Sequence, residues 1–203
     1  MQNPLKDYPF NVILASQSPR RQTLLRETGL DFEILVKPTD ESYPDDLQAE
    51  EIALHVSRIK AQAFDLNEFP DHTLIITADT IVWLNGECIG KPADEEDAVK
   101  MLSKLSGRKH TVCTGVCLKS KEKYQEFFVN TDVYFRKLTE AEIRYYVAHF
   151  RPFDKAGAYG IQEWIGFIGV EKIEGSYFNV MGLPVQRLYC ELLSFAQGFR
   201  QNG

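Results

Sequence analysis

Two short segments of this chain carry residue types that bind phosphate, and an aspartate lies between them in the sequence. Residues 16–21 read Ser-Gln-Ser-Pro-Arg-Arg, residue 79 is Asp79, and residues 90–92 read Gly-Lys-Pro. Hydroxyls, guanidinium groups and the backbone N–H groups of a helix start can converge on a phosphate. A carboxylate near a lysine suits metal-assisted hydrolysis. The combination predicts a pocket that binds a polyphosphate and hydrolyses it with the help of a metal ion.

Each of these signals also has a purely structural interpretation. Residues 16–21 are compatible with a capped helix that carries two solvated arginines, although adjacent arginines at a helix start oppose the helix dipole unless an anion is present. Asp79 at the end of a predicted strand is equally compatible with a turn. Glu41 is either a second carboxylate for a hard divalent ion or a solvated loop residue. Lys60 and Lys91 would bind phosphate only if they share a cleft.

Other catalytic and binding motifs are excluded by their spacing. The segment from Gly86 to Lys91 is not a P-loop, because three residues separate its glycines and Pro92 follows the lysine. The 4 histidines lack the spacing of metal ligands and are expected at surface or edge positions. The 4 cysteines form no C-x-x-C pair and are expected to be reduced core residues. There is no G-x-S-x-G elbow of a serine hydrolase.

Composition and charge describe an ordinary globular protein without a broad basic face. The 203 residues are 44% apolar and 26% charged, which is enough for one domain with a substantial core. The formal net charge of -6 argues against a stable nucleic-acid partner, and it disfavours an RNA-binding role for Arg20 and Arg21. We find neither the ~18-residue apolar run of a membrane span nor a signal-peptide pattern. A cytoplasmic protein with no membrane partner is therefore expected.

The secondary-structure elements that would position these residues follow from hydrophobic periodicity and helix-capping signals. The predicted helices are Arg20 to Thr28, Ala49 to about Asp65, Asp94 to Ser106, Thr139 to about His149, and a last one opened by Pro184. The predicted strands are Asn11 to Ala15, Phe32 to Lys37, Leu74 to Ala78, Ile81 to Leu84, His110 to Lys119 and Tyr124 to Arg136. We expect Asp79 at a strand end, where ligand sites of open α/β sheets gather, and Lys60 free to point at a cleft.

In their order along the chain, these motifs resemble those of the Maf family of nucleoside triphosphate pyrophosphatases over nearly the whole length. The matching pieces are residues 14–21 (Leu-Ala-Ser-Gln-Ser-Pro-Arg-Arg), 40–41, 60–61, 78–82 (Ala-Asp-Thr-Ile-Val), 90–92, 105–107, 131–133, 154–162 (Asp-Lys-Ala-Gly-Ala-Tyr-Gly-Ile-Gln), 173–177 and 182–184. Such an ordered series is far more specific than any single motif.

The resemblance implies a fold and a reaction. The fold would be α/β, an elongated two-lobed mixed sheet with flanking helices similar to the inosine triphosphatases, with residues 1–203 forming one domain around a central cleft. The reaction would convert a nucleoside triphosphate to the monophosphate and pyrophosphate with a divalent cation, Mg²⁺ or Mn²⁺. The biological sense would be the removal of modified or excess nucleotides. The resemblance is also compatible with a homodimer.

The same resemblance implies roles for individual residues. Asp79 takes the position of the catalytic proton acceptor and, with Glu41, of a metal ligand. The residues that match the family's phosphate-binding positions are Ser16, Arg21, Lys60 and Lys91. The residues that fall where the family sets base preference are Arg20, Thr80 and Gln162, and this trio resembles the dTTP/UTP branch rather than the 7-methyl-GTP branch.

Gln162 gives this base preference a physical reason. Uracil and thymine present an N3–H donor beside carbonyl acceptors, and a glutamine amide offers the complementary acceptor and donor, whereas a carboxylate could only accept. Without the family context, Gln162 is equally compatible with a loop amide that bonds to the backbone. A glycine usually follows this glutamine in the family, but residue 163 here is Glu163. This departure bears on the shape of the loop and on base discrimination.

A second class of function stays open at this point. The family resemblance also carries an association with blocked septum formation, so the alternative is a non-enzymatic nucleotide-binding regulator of that process. Such a regulator would bind nucleotide without appreciable turnover, and it would not depend on Asp79.

Overall fold

The computed structural model describes residues 3–197 and confirms the predicted mixed α/β fold. The strands are β1 (Asn11–Leu14), β2 (Glu33–Ile34), β3 (Thr73–Leu84), β4 (Glu87–Ile89), β5 (Lys109–Lys119), β6 (Tyr124–Phe135) and β7 (Val170–Glu174). The helices are α1 (Pro19–Arg26), α2 (Ala49–Gln62), α3 (Glu95–Leu105), α4 (Glu140–Phe150), α5 (Trp164–Gly169), α6 (Tyr177–Val180) and α7 (Val185–Ala196). Among residues 3–197, no helix combines the length and apolar character that crossing a bilayer requires.

The strands form one seven-stranded sheet, and the chain divides into two compact units. The sheet order is β2-β1-β3-β5-β6-β7, with β4 paired to β3. Unit 1 contains residues 3–79, 114–129 and 182–197 of the described chain, and unit 2 contains residues 80–113 and 130–181. The boundaries fall inside β3, β5 and β6, so each of these strands contributes to both units. The single domain with a central cleft stays a prediction.

Strand β3 is longer than its apolar pattern predicts. Residues 74–76 are fully buried, as expected of a strand that is covered on both faces, and β3 pairs in parallel with β1. The prediction that this strand ends at Asp79 is wrong, because β3 continues without a break to Leu84 and turns only at Asn85 and Gly86. Backbone pairing, rather than the polarity of Asp79, decides where the strand ends. Asp79 therefore lies in mid-strand.

Helix α2 is held against β5 in unit 1 by an unusually close backbone approach. A Cβ at Gly115 would lie 2.5 Å from the carbonyl carbon and oxygen of Ala53, so only glycine fits there. At the end of the helix, the Lys119 ammonium donates to the carbonyl oxygens of Ala61 at 3.1 Å and Phe64 at 2.7 Å. These bonds satisfy carbonyl groups that a helix C-terminus leaves unpaired. The position of α2, and with it that of Lys60, is thereby fixed.

Most of the helix signals in the sequence are confirmed, and one segment is misread. Asp94 caps α3, and Thr139 forms the predicted capping box with Glu142 at the start of α4. Residues 157–175 are glycine-rich with short apolar pieces, and their sequence pattern predicts no helix or strand. This segment contains α5 and strand β7, which pairs antiparallel with β6. A strand as short as β7 gains its definition from its partner rather than from its own sequence.

Two sequence expectations about cysteine and histidine need correction. All 4 cysteines are free, but only Cys113 and Cys117 are buried, whereas Cys190 is exposed. His110 is not at the surface but fully buried in unit 2, where its Nε2 lies 2.7 Å from the hydroxyl oxygen of Tyr159. Its ring also packs edge-on against Phe135. The inward-facing strand position thus buries a histidine of which only Nε2 is paired, while Nδ1 is buried with no hydrogen-bond partner among residues 3–197.

Replacing Gly115 with alanine is expected to destabilise the protein by about 3 kcal/mol, because the new methyl group would push against the α2 backbone rather than against a movable side chain. Urea-induced unfolding measures the change. Gly90→Ala is the matched control, since a Cβ at that position meets no atom within 4 Å, and its free energy of unfolding should stay within about 1 kcal/mol of the parent. Equal stability of the two variants would contradict the packing argument.

His110 should make the protein sensitive to mild acid. Burial lowers the pKa of His110 to about 4, with the charge of Asp132 opposing the shift. The unfolded chain takes up this proton near pH 6.5 but the folded chain does not, so stability falls as the pH drops from 6.5 towards 4. At pH 5 this histidine alone should remove about 2 kcal/mol. Urea unfolding at pH 7.5 and pH 5 should therefore show a larger acid-dependent loss for the parent than for His110→Gln; identical losses would exclude His110 as the cause.

Candidate active site

Three of the predicted site residues, the catalytic Asp79, the phosphate-binding Lys60 and the metal ligand Glu41, meet in one charged cluster of unit 1. The Lys60 ammonium lies 2.8 Å from Oδ1 of Asp79 and 3.2 Å from Oε1 of Glu41. The side chains of Lys60 and Asp79 are each 16% exposed, and that of Glu41 is 50% exposed. A single cation thus bridges two carboxylates, and the tighter of the two contacts is the more buried one. Partial burial strengthens such an interaction, because less water screens it.

This contact follows from the local geometry of one strand and one helix. Residues 77 and 79 share a face of β3, and residues 57 and 60 are neighbours on the surface of α2. The Thr77 hydroxyl donates to the backbone carbonyl of Ser57 at 2.6 Å, and both residues are fully buried. This hydrogen bond aligns the helix with the strand. Lys60 follows Ser57 by about one helical turn, and Asp79 follows Thr77 by two residues on the same face of the strand. The hydrogen bond therefore places Lys60 opposite Asp79.

The 16–21 segment connects the end of β1 to helix α1, as the sequence predicts. Ser18 is the N-cap and accepts a hydrogen bond from the backbone N–H of Arg21, with Pro19 in the first turn. Ser16 is buried, and its Oγ accepts from the N–H of Ser18 at 3.3 Å. Because β1 and β3 run in parallel, Ser16 emerges from the sheet on the side to which β3 carries Ala78 and Asp79.

Arg21 links this segment to the backbone beside Asp79. Its Nη1 donates to the carbonyl oxygen of Ala78 at 2.9 Å, and its Nε donates to the carbonyl oxygen of Gly182 at 2.7 Å. Ala78 immediately precedes Asp79, so the guanidinium fixes the peptide that carries the aspartate. Burial lowers the pKa of Arg21, while the negative charge of Asp79 acts in the opposite direction and the charge of Arg20 adds to the lowering. Even so, an arginine keeps its charge at neutral pH.

Three further predicted site residues lie in unit 2. Thr80 follows Asp79 in β3 and is half-buried. Lys91 is exposed just after β4, and the preceding Gly90 carbonyl accepts a hydrogen bond from the N–H of Gly157 at 2.9 Å. Gln162 lies in a turn before α5, and its Oε1 is buried with no hydrogen-bond partner among the described residues. That these residues act together with the Asp79 cluster stays a prediction.

The charged cluster in unit 1 can do two things chemically. Asp79 and Glu41 offer carboxylate oxygens, which are the ligands that hard divalent cations prefer, and they already converge on one cationic group. Lys60, Arg21 and the Ser16 hydroxyl offer charge and hydrogen bonds to an anion. Within residues 3–197, no group of three or more His, Cys, Asp or Glu side chains is arranged to hold a metal ion. Two carboxylates beside an ammonium therefore define the site.

Sequence reasoning missed the residues that support this cluster. Thr77, Ser57 and Gly182 carry no charge themselves, but they hold Lys60 and Arg21 in place. A signal for Thr77 was present, because it is a polar residue inside an otherwise apolar buried run, and such a residue needs a hydrogen-bond partner. Nothing in the sequence marks the carbonyl groups of Ser57 and Gly182 as acceptors.

Comparison with known proteins agrees with these features. The family model described as "Maf-like protein" matches residues 11–195. A dTTP/UTP pyrophosphatase of Phocaeicola vulgatus is 56% identical over 184 residues, covering 90% of this chain and 95% of the relative. The protein of the same name in Bacteroides fragilis is 55% identical over 184 residues with the same coverage. That of Porphyromonas gingivalis is 46% identical over 190 residues, covering 93% of this chain and 96% of the relative.

The ordered motifs, the mixed sheet and the charged cluster are thus accompanied by a family match that extends over most of the chain, from residue 11 to residue 195. Its relatives also align over nearly their whole length, so the match is not confined to one element. The chain belongs to the Maf family.

Proposed function

We propose that this chain is a nucleoside triphosphate pyrophosphatase that hydrolyses dTTP and UTP to the monophosphate and pyrophosphate. Relatives at 46% to 56% identity bear the name dTTP/UTP pyrophosphatase, and they confirm the enzyme class predicted from the motifs. The observation that carries the proposal in this chain is the Lys60 ammonium, held between Asp79 and Glu41 at 2.8 and 3.2 Å. This arrangement places a cation that can bind the phosphates beside a carboxylate that can accept a proton from the water.

In the proposed reaction, Asp79 accepts a proton from the water that attacks the α-phosphorus. A bond forms between the water oxygen and phosphorus, the bond from phosphorus to the bridging oxygen breaks, and pyrophosphate leaves. The incoming phosphates compete with Asp79 for the Lys60 ammonium, which frees an oxygen of Asp79 to act as the base. Positioning and charge stabilisation supply most of the acceleration in phosphoryl transfer. Arg21 holds the peptide that carries this base, and the Ser16 hydroxyl beside Arg21 would donate a hydrogen bond to the anion.

A divalent cation fits the donor set of this cluster. Asp79 and Glu41 would hold Mg²⁺ or Mn²⁺, because both carboxylates converge on one cationic position, which Lys60 occupies here. Such an ion, when bound, neutralises charge on the phosphate oxygens. Two carboxylates are a usual protein contribution to Mg²⁺, which keeps water and phosphate oxygens as its other ligands.

The remaining roles follow the family positions. Lys91 adds a point charge for the phosphates, and Arg20, Thr80 and Gln162 set the preference for a pyrimidine base. Oε1 of Gln162 has no hydrogen-bond partner among residues 3–197, which supports this assignment, since an N3–H donor of uracil or thymine would satisfy it. We propose further that the protein acts on free nucleotides in the cytoplasm without a nucleic-acid partner, and that a homodimer is compatible with this role.

Asp79→Asn should lower kcat for dTTP and UTP at least about 100-fold, because the amide cannot accept the proton. A coupled assay of pyrophosphate release over a panel of triphosphates with Mg²⁺ or Mn²⁺ measures both turnover and base preference. Asp71→Asn is the matched control, as it makes the same chemical change at a side chain of unit 1 that is 81% exposed. Full turnover in Asp79→Asn would remove Asp79 from the role of base. Nucleotide binding without turnover in the parent would favour the regulator instead.

Glu41→Gln should raise the metal concentration that gives half-maximal activity by about tenfold, while saturating metal restores most of kcat. The reason is that the amide keeps one oxygen ligand but loses the negative charge. Titration of the EDTA-treated enzyme with Mg²⁺ or Mn²⁺ measures the effect. Glu68→Gln is a suitable control, because Glu68 also pairs with a lysine in unit 1 but is 61% exposed. An unchanged metal requirement in Glu41→Gln would argue that Glu41 is not a ligand.

A further inference from the structure

Gln162 is carried by a tight turn in unit 2, residues 160–163, which we call the 160–163 turn. The backbone N–H of Glu163 donates to the carbonyl oxygen of Gly160 at 3.0 Å, which closes the turn around Ile161 and Gln162. Helix α5 begins directly after it. The direction in which the Gln162 amide points is therefore set by how firmly these four residues are held.

The Glu163 side chain ties the two ends of this turn to one buried hydroxyl. Oε2 of Glu163 accepts a hydrogen bond from the Tyr146 hydroxyl, and the same hydroxyl oxygen accepts from the N–H of Gly160 at 3.0 Å. Tyr146 is fully buried on α4. Burial raises the pKa of Tyr146, so its hydroxyl stays protonated and keeps donating. One side chain from the core thus connects the first and last residues of the turn.

A buried cation holds the other oxygen of Glu163. The Lys155 ammonium lies 3.1 Å from Oε1 of Glu163 and 2.8 Å from Oδ1 of Asp154. The Lys155 side chain is only 9% exposed, while that of Asp154 is 59% exposed. The buried Lys155 ammonium needs a counter-ion, and Glu163 is the more buried of its two carboxylate partners. Both oxygens of Glu163 are engaged, and the carboxylate cannot rotate without breaking one of these contacts.

Two glycines let the backbone approach this arrangement closely. A Cβ at Gly160 would lie 2.8 Å from the carboxyl carbon of Glu163, and a Cβ at Gly166 would lie 1.8 Å from the carbonyl oxygen of Ile161. The turn is packed against its own glutamate on one side and against α5 on the other. The glycine that the family pattern places at position 163 could make neither contact of the glutamate, since it has no side chain.

We propose that Glu163 is a positioning residue for base selection, which acts by clamping the backbone of the 160–163 turn so that the Gln162 side chain extends from one fixed position. The inference rests on the proposed function, because it needs Gln162 to recognise the base. Oε1 of Gln162 is buried and unpartnered within the described chain, so the amide must turn to meet a ligand. A turn fixed at both ends limits the orientations available to that amide. Discrimination between uracil, with an N3–H donor, and cytosine, with an N3 acceptor, depends on this limit.

The test compares UTP and CTP as substrates in the full-length enzyme. The variants are Glu163→Gly, Glu163→Gln, Tyr146→Phe, Gln162→Ala and the double variant Gln162→Ala with Glu163→Gly. Glu171→Gln is the control, since Glu171 is an exposed glutamate of β7 in the same unit. Steady-state kcat and KM are measured for each nucleotide, and thermal unfolding verifies that each variant folds. If Glu163→Gly does not fold, Glu163→Gln, which retains an acceptor for Tyr146, takes its place.

We expect Glu163→Gly and Tyr146→Phe to lower the UTP-over-CTP ratio of kcat/KM by about tenfold, mainly through a higher KM for UTP. The UTP-over-CTP ratio of kcat/KM for Glu163→Gln should lie between the ratios of these variants and that of the parent. The double variant should match Gln162→Ala, because a clamp that acts through Gln162 has no effect once the amide is gone.

Three results would overturn the inference. The first is a parental UTP-over-CTP ratio in both Glu163→Gly and Tyr146→Phe. The second is an unchanged ratio in Gln162→Ala. The third is a further tenfold loss in the double variant, which would mean that Glu163 acts elsewhere. The turnover of dTTP and UTP by the parent is read separately, so failure of the proposed function is distinguished from failure of this inference.

Discussion

The pairing of one lysine with two carboxylates is the constraint on which unit 1 depends. Lys60 and Asp79 are each 16% exposed, so neither keeps its full hydration, and charges in such a place are stable only when paired. The ion pair satisfies both groups in the free protein. In the proposed reaction the pair is also exchangeable, because a phosphate would offer the same ammonium a partner of higher charge. In that exchange the Lys60 ammonium would stay paired, while Asp79 would give up its partner and become available as the base.

The surrounding contacts of unit 1 hold Lys60 and Asp79 in fixed positions relative to each other. Gly115 lets β5 approach the backbone of α2, and Lys119 anchors the end of the same helix. The Thr77 hydroxyl then fixes α2 along β3 through the Ser57 carbonyl. Each contact involves the helix backbone rather than a long side chain, so the helix has little freedom to slide. The Gly115 and Thr77 contacts are neutral, and the Lys119 ammonium is directed at backbone carbonyl groups rather than at the carboxylates of the site.

Some elements and some site residues of this structure can be predicted from the sequence, and others cannot. Helices with clear caps, such as α3 behind Asp94 and α4 behind Thr139, were predictable because local hydrogen bonds define their starts. The ends of strands were not predictable in this way, since β3 continues through polar Asp79 because neighbouring strands pair with it. Ser16 and the charged residues 21, 41, 60 and 79 were identified from motifs, and unit 1 brings them together. The carbonyl groups that hold them could not be identified, because any residue type supplies a carbonyl.

Glu163 illustrates why a departure from a family pattern is hard to interpret before the fold is known. In the sequence it is only a glutamate where glycine is usual, and its partners Tyr146 and Lys155 are 17 and 8 positions away. A residue of α4, a buried lysine and the turn meet only in the folded unit. Because the glutamate completes an ion pair for buried Lys155 and accepts from buried Tyr146, its loss would leave two polar groups to be satisfied by others. The departure from the family pattern at Glu163 thus coincides with interdependent contacts beside Gln162.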